Sequence, residues 1–293
     1  MLTPEERLMI GLKFLERFKP DLQSRRTQHA RRSGVHADDS KINVPALGSQ
    51  EADSQDDQPP SIQTVIDQTG PFSPGSLILG SCEDGLPFIL DLTNPAPGAL
   101  LISGDEGSGK TQLLHSILKS AVVLNSPAQV SFSLVVGNPE EYADLSQSPN
   151  CQEMLTPGDR AVEDQIRALQ AAVEQRRYGN VRGPSLILAI DDLASFMQNC
   201  GDEGTSMLHT ILKHGPRSRI WTLATLSSTD AEQIDERLVF AFRTRLVGKV
   251  LDPMLAAYLA NDTASDAENL IRGSQFCVPF GDDWIRFWVC SES

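Results

Sequence analysis

What this chain has little of narrows its class before any motif is considered. Cysteine is scarce: five in 293 residues, at positions 82, 151, 200, 277 and 290, without metal-ligand spacing. They read as reduced thiols that pack, not as a disulfide framework or a zinc site. No apolar run approaches the roughly 18–20 residues that cross a bilayer. The opening Met1-Leu2-Thr3-Pro4-Glu5-Glu6 lacks the basic-then-apolar order of a secretory leader. The expectation is a cytoplasmic protein with no membrane partner. Positive charge is also short, with 25 Lys and Arg against 39 Asp and Glu and a net charge of −14. A protein that grips nucleic acid by its backbone needs a basic surface. This chain has one only locally, although an acidic oligomer can line a channel with a few Arg and Lys.

The chemistry is concentrated in one stretch, Ala99-Leu100-Leu101-Ile102-Ser103-Gly104-Asp105-Glu106-Gly107-Ser108-Gly109-Lys110-Thr111. An apolar run suited to a buried strand breaks into a glycine-rich turn. A helix-like segment follows to Leu124, apolar at Leu113, Leu114, Ile117, Leu118 and Ala121. Gly104, four spacers, Gly109, Lys110 and Thr111 complete the phosphate-loop pattern. Glycines let backbone N–H groups turn inward at dihedrals that a Cβ would penalise. Those groups and the helix N-terminus make a positive nest for phosphates. Gly104, Asp105, Glu106, Gly107, Ser108, Gly109, Lys110, Thr111 and Gln112 are therefore assigned to ATP. Lys110 reaches the β- and γ-phosphates and the Thr111 hydroxyl ligates Mg²⁺.

Three regions are expected along the chain. Residues 1–20 read as an amphipathic helix: Thr3 as N-cap, Pro4 at the first position, Glu6 closing a capping box, then Leu8, Leu12, Leu15 and Phe18. Its apolar face serves either its own domain or a protein partner. Residues 21–61 lose periodicity, with a basic block (Arg25, Arg26, Arg31, Arg32) before an acidic one (Asp38, Asp39, Glu51, Asp53, Asp56, Asp57). Few apolar residues and separated charge blocks read as a disordered linker; the basic block either is simply solvated or touches nucleic acid. Residues 62–293 form the folded domain. Hairpin strands are expected at residues 77–80 and 88–91, and further strands at 130–136, 186–191, 220–225 and 245–250. Helices are expected at 160–178, with Val162, Ile166, Leu169 and Val173 buried, and at 254–260. Alternating strands and helices predict an α/β fold, a mainly parallel sheet flanked by helices. A closing hairpin, Ser274–Pro279 with Trp284–Val289, suits the edge of such a sheet.

A second chemical element is Leu186-Ile187-Leu188-Ala189-Ile190-Asp191-Asp192, an apolar strand ending in two carboxylates. In nucleotide hydrolases the first such acid holds the Mg²⁺ shell. Asp191 is thus assigned to the metal and Asp192 to the general base. Asp where Glu would serve shortens the base by one methylene, so slow hydrolysis is expected. After Ile220–Thr225, one of Thr225, Ser227 and Ser228 senses the γ-phosphate, or the segment simply caps the next helix. Arg217, Arg219, Arg243 and Arg245 are candidate fingers inserted in trans, or surface residues.

Several segments in order over residues 76–289 resemble the motor domain of the FtsK/SpoIIIE group within the FtsK/HerA ATPases. Pro87–Leu92 and Gly98–Gly104 resemble the segment leading into its phosphate loop. Met154-Leu155-Thr156-Pro157 and Glu174-Gln175-Arg176-Arg177-Tyr178 resemble "LLTP" and "MERRY". Ile190–Met197 resembles "IDEFADLM", Ala224-Thr225 the start of "ATQRP", Thr244-Arg245-Leu246 "SRIAF", and Arg272–Phe276 "GRGDML". The resemblance implies a RecA-like P-loop ATPase, usually a hexameric ring of identical chains, that pumps double-stranded DNA; secretion-system relatives move protein. In the motor reading, Arg245 from a neighbour is the arginine expected to complete the site. Departures are Leu226 in place of the Gln of "ATQRP", the acid in Asn138-Pro139-Glu140, and a short loop at 179–184. Two functions stay open: a DNA-translocating ATPase, or a nucleotide-binding assembly or regulatory module with little hydrolysis.

Overall fold

The computed structural model describes residues 59–179, 183–262, 267–280 and 283–291. The expected N-terminal helix and all but the last three linker positions lie outside the described residues. The strands are β1 (Ser76–Cys82), β2 (Pro87–Asp91), β3 (Leu100–Gly104), β4 (Val130–Val136), β5 (Cys151–Leu155), β6 (Ser185–Asp191), β7 (Ile220–Ser227), β8 (Thr244–Val247), β9 (Gln275–Phe280) and β10 (Asp283–Trp288). The helices are α1 (Ile62–Thr69), α2 (Lys110–Leu124), the single turn α3 (Ala143–Ser146), α4 (Ala161–Tyr178), α5 (Leu193–Asn199), α6 (Asp202–His214), α7 (Glu236–Ala241) and α8 (Pro253–Ala260).

All ten strands join one sheet in the order β2-β1-β10-β9-β8-β3-β7-β6-β4-β5. From β8 to β5 the pairing is parallel, and from β9 to β2 it is antiparallel. β3 lies between β7 and β8. Side chains alternate across the sheet because strand residues have a period of two. Leu100 and Ile102 join one core with α2 residues Leu113, Leu114, Ile117 and Leu118. Leu101 joins the opposite core, with Val162, Ile166, Leu169 and Val173 of α4 and Met207, Leu208, Ile211 and Leu212 of α6. Burial on both faces is why these strands read as continuous apolar runs. The predicted α4 stripe packs against α6.

Two elements differ from expectation. The β9–β10 hairpin is interior to the sheet, with β8 on one side and β1 on the other. The outer position falls to the β1–β2 hairpin. The close approach is made at Gly80, where a Cβ would lie 2.3 Å from the carbonyl oxygen of Trp288. β5 is the other edge, and Cys-Gln-Glu-Met-Leu is a partly exposed strand without an apolar run to announce it.

The first hairpin is fastened to α2 by buried polar side chains. Asn125 accepts from the Gly75 N–H (2.7 Å) and donates to the Ser76 carbonyl (3.0 Å). Ser120 Oγ accepts from the Ile78 N–H at 2.9 Å. Asn125→Ala leaves two buried backbone groups unpaired, and a loss of about 2–4 kcal/mol is expected. The urea midpoint reads it, and an unchanged midpoint would show that this tie is dispensable.

Candidate active site

The end of β3 delivers the phosphate loop, and the loop's shape is set by backbone constraints. Gly109, the N-cap of α2, has φ 92°. A Cβ there would lie 2.5 Å from the Gly273 carbonyl oxygen, so glycine is required by conformation and by space. The first intrahelical bond runs from Leu113 N to Gly109 O. It leaves the N–H groups of Lys110, Thr111 and Gln112 as first-turn donors, the arrangement that suits phosphate oxygens. Lys110 Nζ donates to the carbonyls of Gly104 (3.1 Å) and Asp105 (2.8 Å). Burial lowers the Lys110 pKa, against the pull of Asp191 and Asp105. Glu106, Gly107 and Gln112 are exposed at the site, and Ser108 is buried beneath the loop.

Parallel pairing sets the carboxyl end of β6 beside β7, and β7 beside β3. Asp191 thereby meets the phosphate-loop helix. Its Oδ1 accepts from Thr225 Oγ1 (2.6 Å) and Thr111 Oγ1 (3.3 Å), and its Oδ2 accepts from Tyr142 OH (3.0 Å). Three hydroxyls from β7, α2 and the segment after β4 orient one carboxylate. Tyr142 is fully buried, and desolvation together with Asp191 pushes its phenol well above the ordinary tyrosine range. It stays a donor.

Asp192 has φ 75° and caps α5, with Oδ1 accepting from Ser195 N at 3.0 Å. Its own N–H donates to Thr225 Oγ1 at 2.7 Å. One oxygen of Asp192 thus serves as a helix cap, and the second carboxylate oxygen is left over. Leu226 is buried in the core facing α4 and α6, while Thr225 on the opposite side of β7 faces Asp191.

The loop's own acid is a tie point. Asp105 accepts from Ser228 Oγ with one oxygen and from Leu251 N with the other (2.9 Å). The ends of β7 and β8 are thus both bound to the phosphate loop. Ser228, one of the candidate γ-phosphate sensors, is thus placed at the loop, whereas Tyr142 and Arg272 are site residues that the sequence reading does not pick out. Only Arg272 carried a signal, in its "GRGDML"-like landmark. Its guanidinium donates to the Glu106 carbonyl and lies against Gly107.

The arginines correct one expectation. Arg245 is 4% exposed, and its guanidinium donates to the carbonyls of Tyr258 (3.0 Å), Leu259 (3.1 Å) and Val239 (3.1 Å). Burial presses its pKa down to about 10, so it stays charged at neutral pH. With these bonds made inside its own chain, it cannot extend into a neighbour's site. Arg219 donates to Ser185 Oγ. Arg217 and Arg243 precede β7 and β8, at the end of the sheet away from the phosphate loop.

A phosphate loop on a central parallel strand, with an anchored acid at the end of a strand two places away, is the site of a RecA-like P-loop ATPase domain. The FtsK/SpoIIIE family profile matches residues 73–182. The DNA translocase FtsK of Helicobacter pylori is 26% identical over 210 residues, 61% of this chain and 24% of that protein. This chain thus spans about a quarter of the length of the FtsK relatives it matches. The cytoplasmic domain of the Thermomonospora curvata type VII secretion ATPase EccC aligns at TM-score 0.64 and 17% identity, over 79% of this chain and 32% of that one. The pCW3 conjugation coupling protein TcpA, in a monomer form with ATPγS, aligns at TM-score 0.64 and 17% identity, over 80% and 69%. The profile match over residues 73–182 bears out the resemblance to the FtsK/SpoIIIE group drawn from the ordered landmarks. Among the described residues no helix is long and apolar enough to cross a membrane.

Two variants separate structural from nucleotide-directed arginines. Arg245→Ala is expected to lower stability by about 3 kcal/mol, because three carbonyls lose a charged donor. Mixed with wild-type chains it should cause no dominant loss of ATP turnover; a dominant loss at unchanged stability would restore a role in trans. Arg272→Ala is expected to weaken ATP binding about fivefold, near 1 kcal/mol for an exposed charged hydrogen bond. Calorimetric titration measures this, and unchanged affinity would show the clamp to be idle.

Proposed function

We propose that this chain binds Mg²⁺·ATP at its phosphate loop, hydrolyses it, and as a ring of identical chains couples hydrolysis to movement along double-stranded DNA. The observation that carries the hydrolytic part is the Asp191 carboxylate, held by Thr111, Thr225 and Tyr142 on the strand beside the loop's neighbour. Thr111 and Asp191 offer only hard oxygen donors. No group of three or more His, Cys, Asp or Glu that could cage a metal is present among the described residues. That donor set fits Mg²⁺, which keeps waters and takes phosphate oxygens in preference to an all-protein cage. When bound, the ion would neutralise charge on the phosphates.

The chain's own residues do the rest. First-turn N–H groups of α2 bind the phosphates, and Lys110 exchanges its loop carbonyls for phosphate oxygens. Asp192 orients the attacking water through the oxygen that does not cap α5. Thr225 joins the two acids, donating to Asp191 and accepting from the Asp192 N–H. A shift of the phosphate side is thereby relayed to both. The coupling to DNA rests on the FtsK relatives.

A second reading is favoured by Asp192 at the α5 cap and by the burial of Leu226. In it, ATP binding fixes an assembly and hydrolysis is slight. ATP turnover with and without duplex DNA, compared with Lys110→Ala, decides between them. The motor reading expects DNA-stimulated turnover that falls at least ~100-fold in the variant, the scale of losing a preorganised charge at the transferred phosphoryl group. Nucleotide binding without turnover, or turnover indifferent to DNA, selects the second.

A further inference from the structure

At the end of the sheet opposite the phosphate loop lies a cleft of about 590 Å³ between α6 and α7. Its position follows from the parallel strands: Gly98, Arg217 and Arg243 line it just before β3, β7 and β8 begin. Six basic side chains line it, His209, Lys213, His214, Arg217, Arg237 and Arg243, and no Asp or Glu does. In a chain with a net charge of −14 this is a concentrated reversal of sign. The ion pairs among the described residues lie elsewhere, at His115 and Lys119 with Asp144 and at Arg167 with Asp164 and Glu203.

The positive charges are not there for their own helices alone. Lys213 suits the last turn of α6. Arg237, however, stands in the first turn of α7, where the helix dipole disfavours a cation. The charges also act on each other. Burial lowers the His214 pKa, and Arg177, Lys213, Arg217 and His209 lower it further. Between the charges the lining is apolar: Leu212 and Pro216 are buried, and Phe240 is 40% exposed.

We infer that this cleft is a docking site for an acidic peptide segment of a partner protein, one that carries an aromatic or aliphatic side chain among its carboxylates. Charge complementarity selects an anion, and the apolar floor selects among anions. A phosphodiester backbone has nothing to bury on the exposed ring of Phe240, whereas an apolar side chain among carboxylates does. Lys213, Arg237 and Arg243 then pair its carboxylates at the rim, and Phe240 takes its apolar side chain.

The test is fluorescence anisotropy on the full chain with three labelled probes: a twelve-residue peptide of alternating Glu and Leu or Phe, a Glu-Ser peptide of equal charge, and a twelve-base-pair duplex. The Glu-Leu/Phe peptide is expected to bind at least fivefold tighter than the Glu-Ser peptide. The double variant Lys213→Gln/Arg237→Gln should weaken it at least tenfold, and Phe240→Ala about fivefold, the range of rim charges and aromatic anchors at interfaces. ATP affinity should be unchanged in both variants, which verifies that each is folded and separates this site from the phosphate loop. Absence of peptide binding, or binding indifferent to both variants, overturns the inference. So does a duplex that binds tighter than the peptide and is lost in the double variant, which would make the cleft a nucleic-acid groove.

Discussion

A carboxylate withdrawn from water must be hydrogen-bonded or give up its charge, and Asp191 shows what that requirement organises. Its oxygens take hydroxyl donors from β7, α2 and the segment after β4. Those elements are far apart in the chain and meet only because parallel strands bring their carboxyl ends to one edge. The same three hydroxyls fix where the acid points. Charge placement and the strand order β3-β7-β6 are therefore one constraint seen twice.

The phosphate loop is held by a second set of ties of the same kind. Asp105 binds Ser228 and the Leu251 N–H, its own N–H donates to Lys249, and Gly109 abuts Gly273. Each tie links the loop to a segment following β7, following β8 or preceding β9. A change at the phosphates thus has three mechanical outlets, two of them through Asp105.

The sheet also separates two chemistries by its polarity. Phosphate chemistry occupies the carboxyl ends of the strands, where helix N-termini supply positive dipole ends. The basic cleft occupies the amino ends, where side chains must supply the charge. The two sites share β3, β7 and β8 as connecting rods but no residue, so each can be altered without dismantling the other.

The sequence by itself determined the phosphate loop, the acidic strand end, the buried stripe of α4 and the alternation that makes an α/β sheet. All of these are local: a motif, a period or a capping residue carries them within about twenty residues. Tertiary structure decided what depends on distant partners. Arg245 reads as a mobile finger until three carbonyls from α7 and α8 claim it. Asp192 reads only as a base until the Ser195 N–H shows that one of its oxygens is also a cap. The β9–β10 hairpin reads as an edge until β1 pairs with it, and Tyr142 carries no local mark of its role. The physical reason is common to all of them. A polar or charged group takes its function from whichever partner burial leaves it, and that partner is chosen by topology, not by neighbours in the chain.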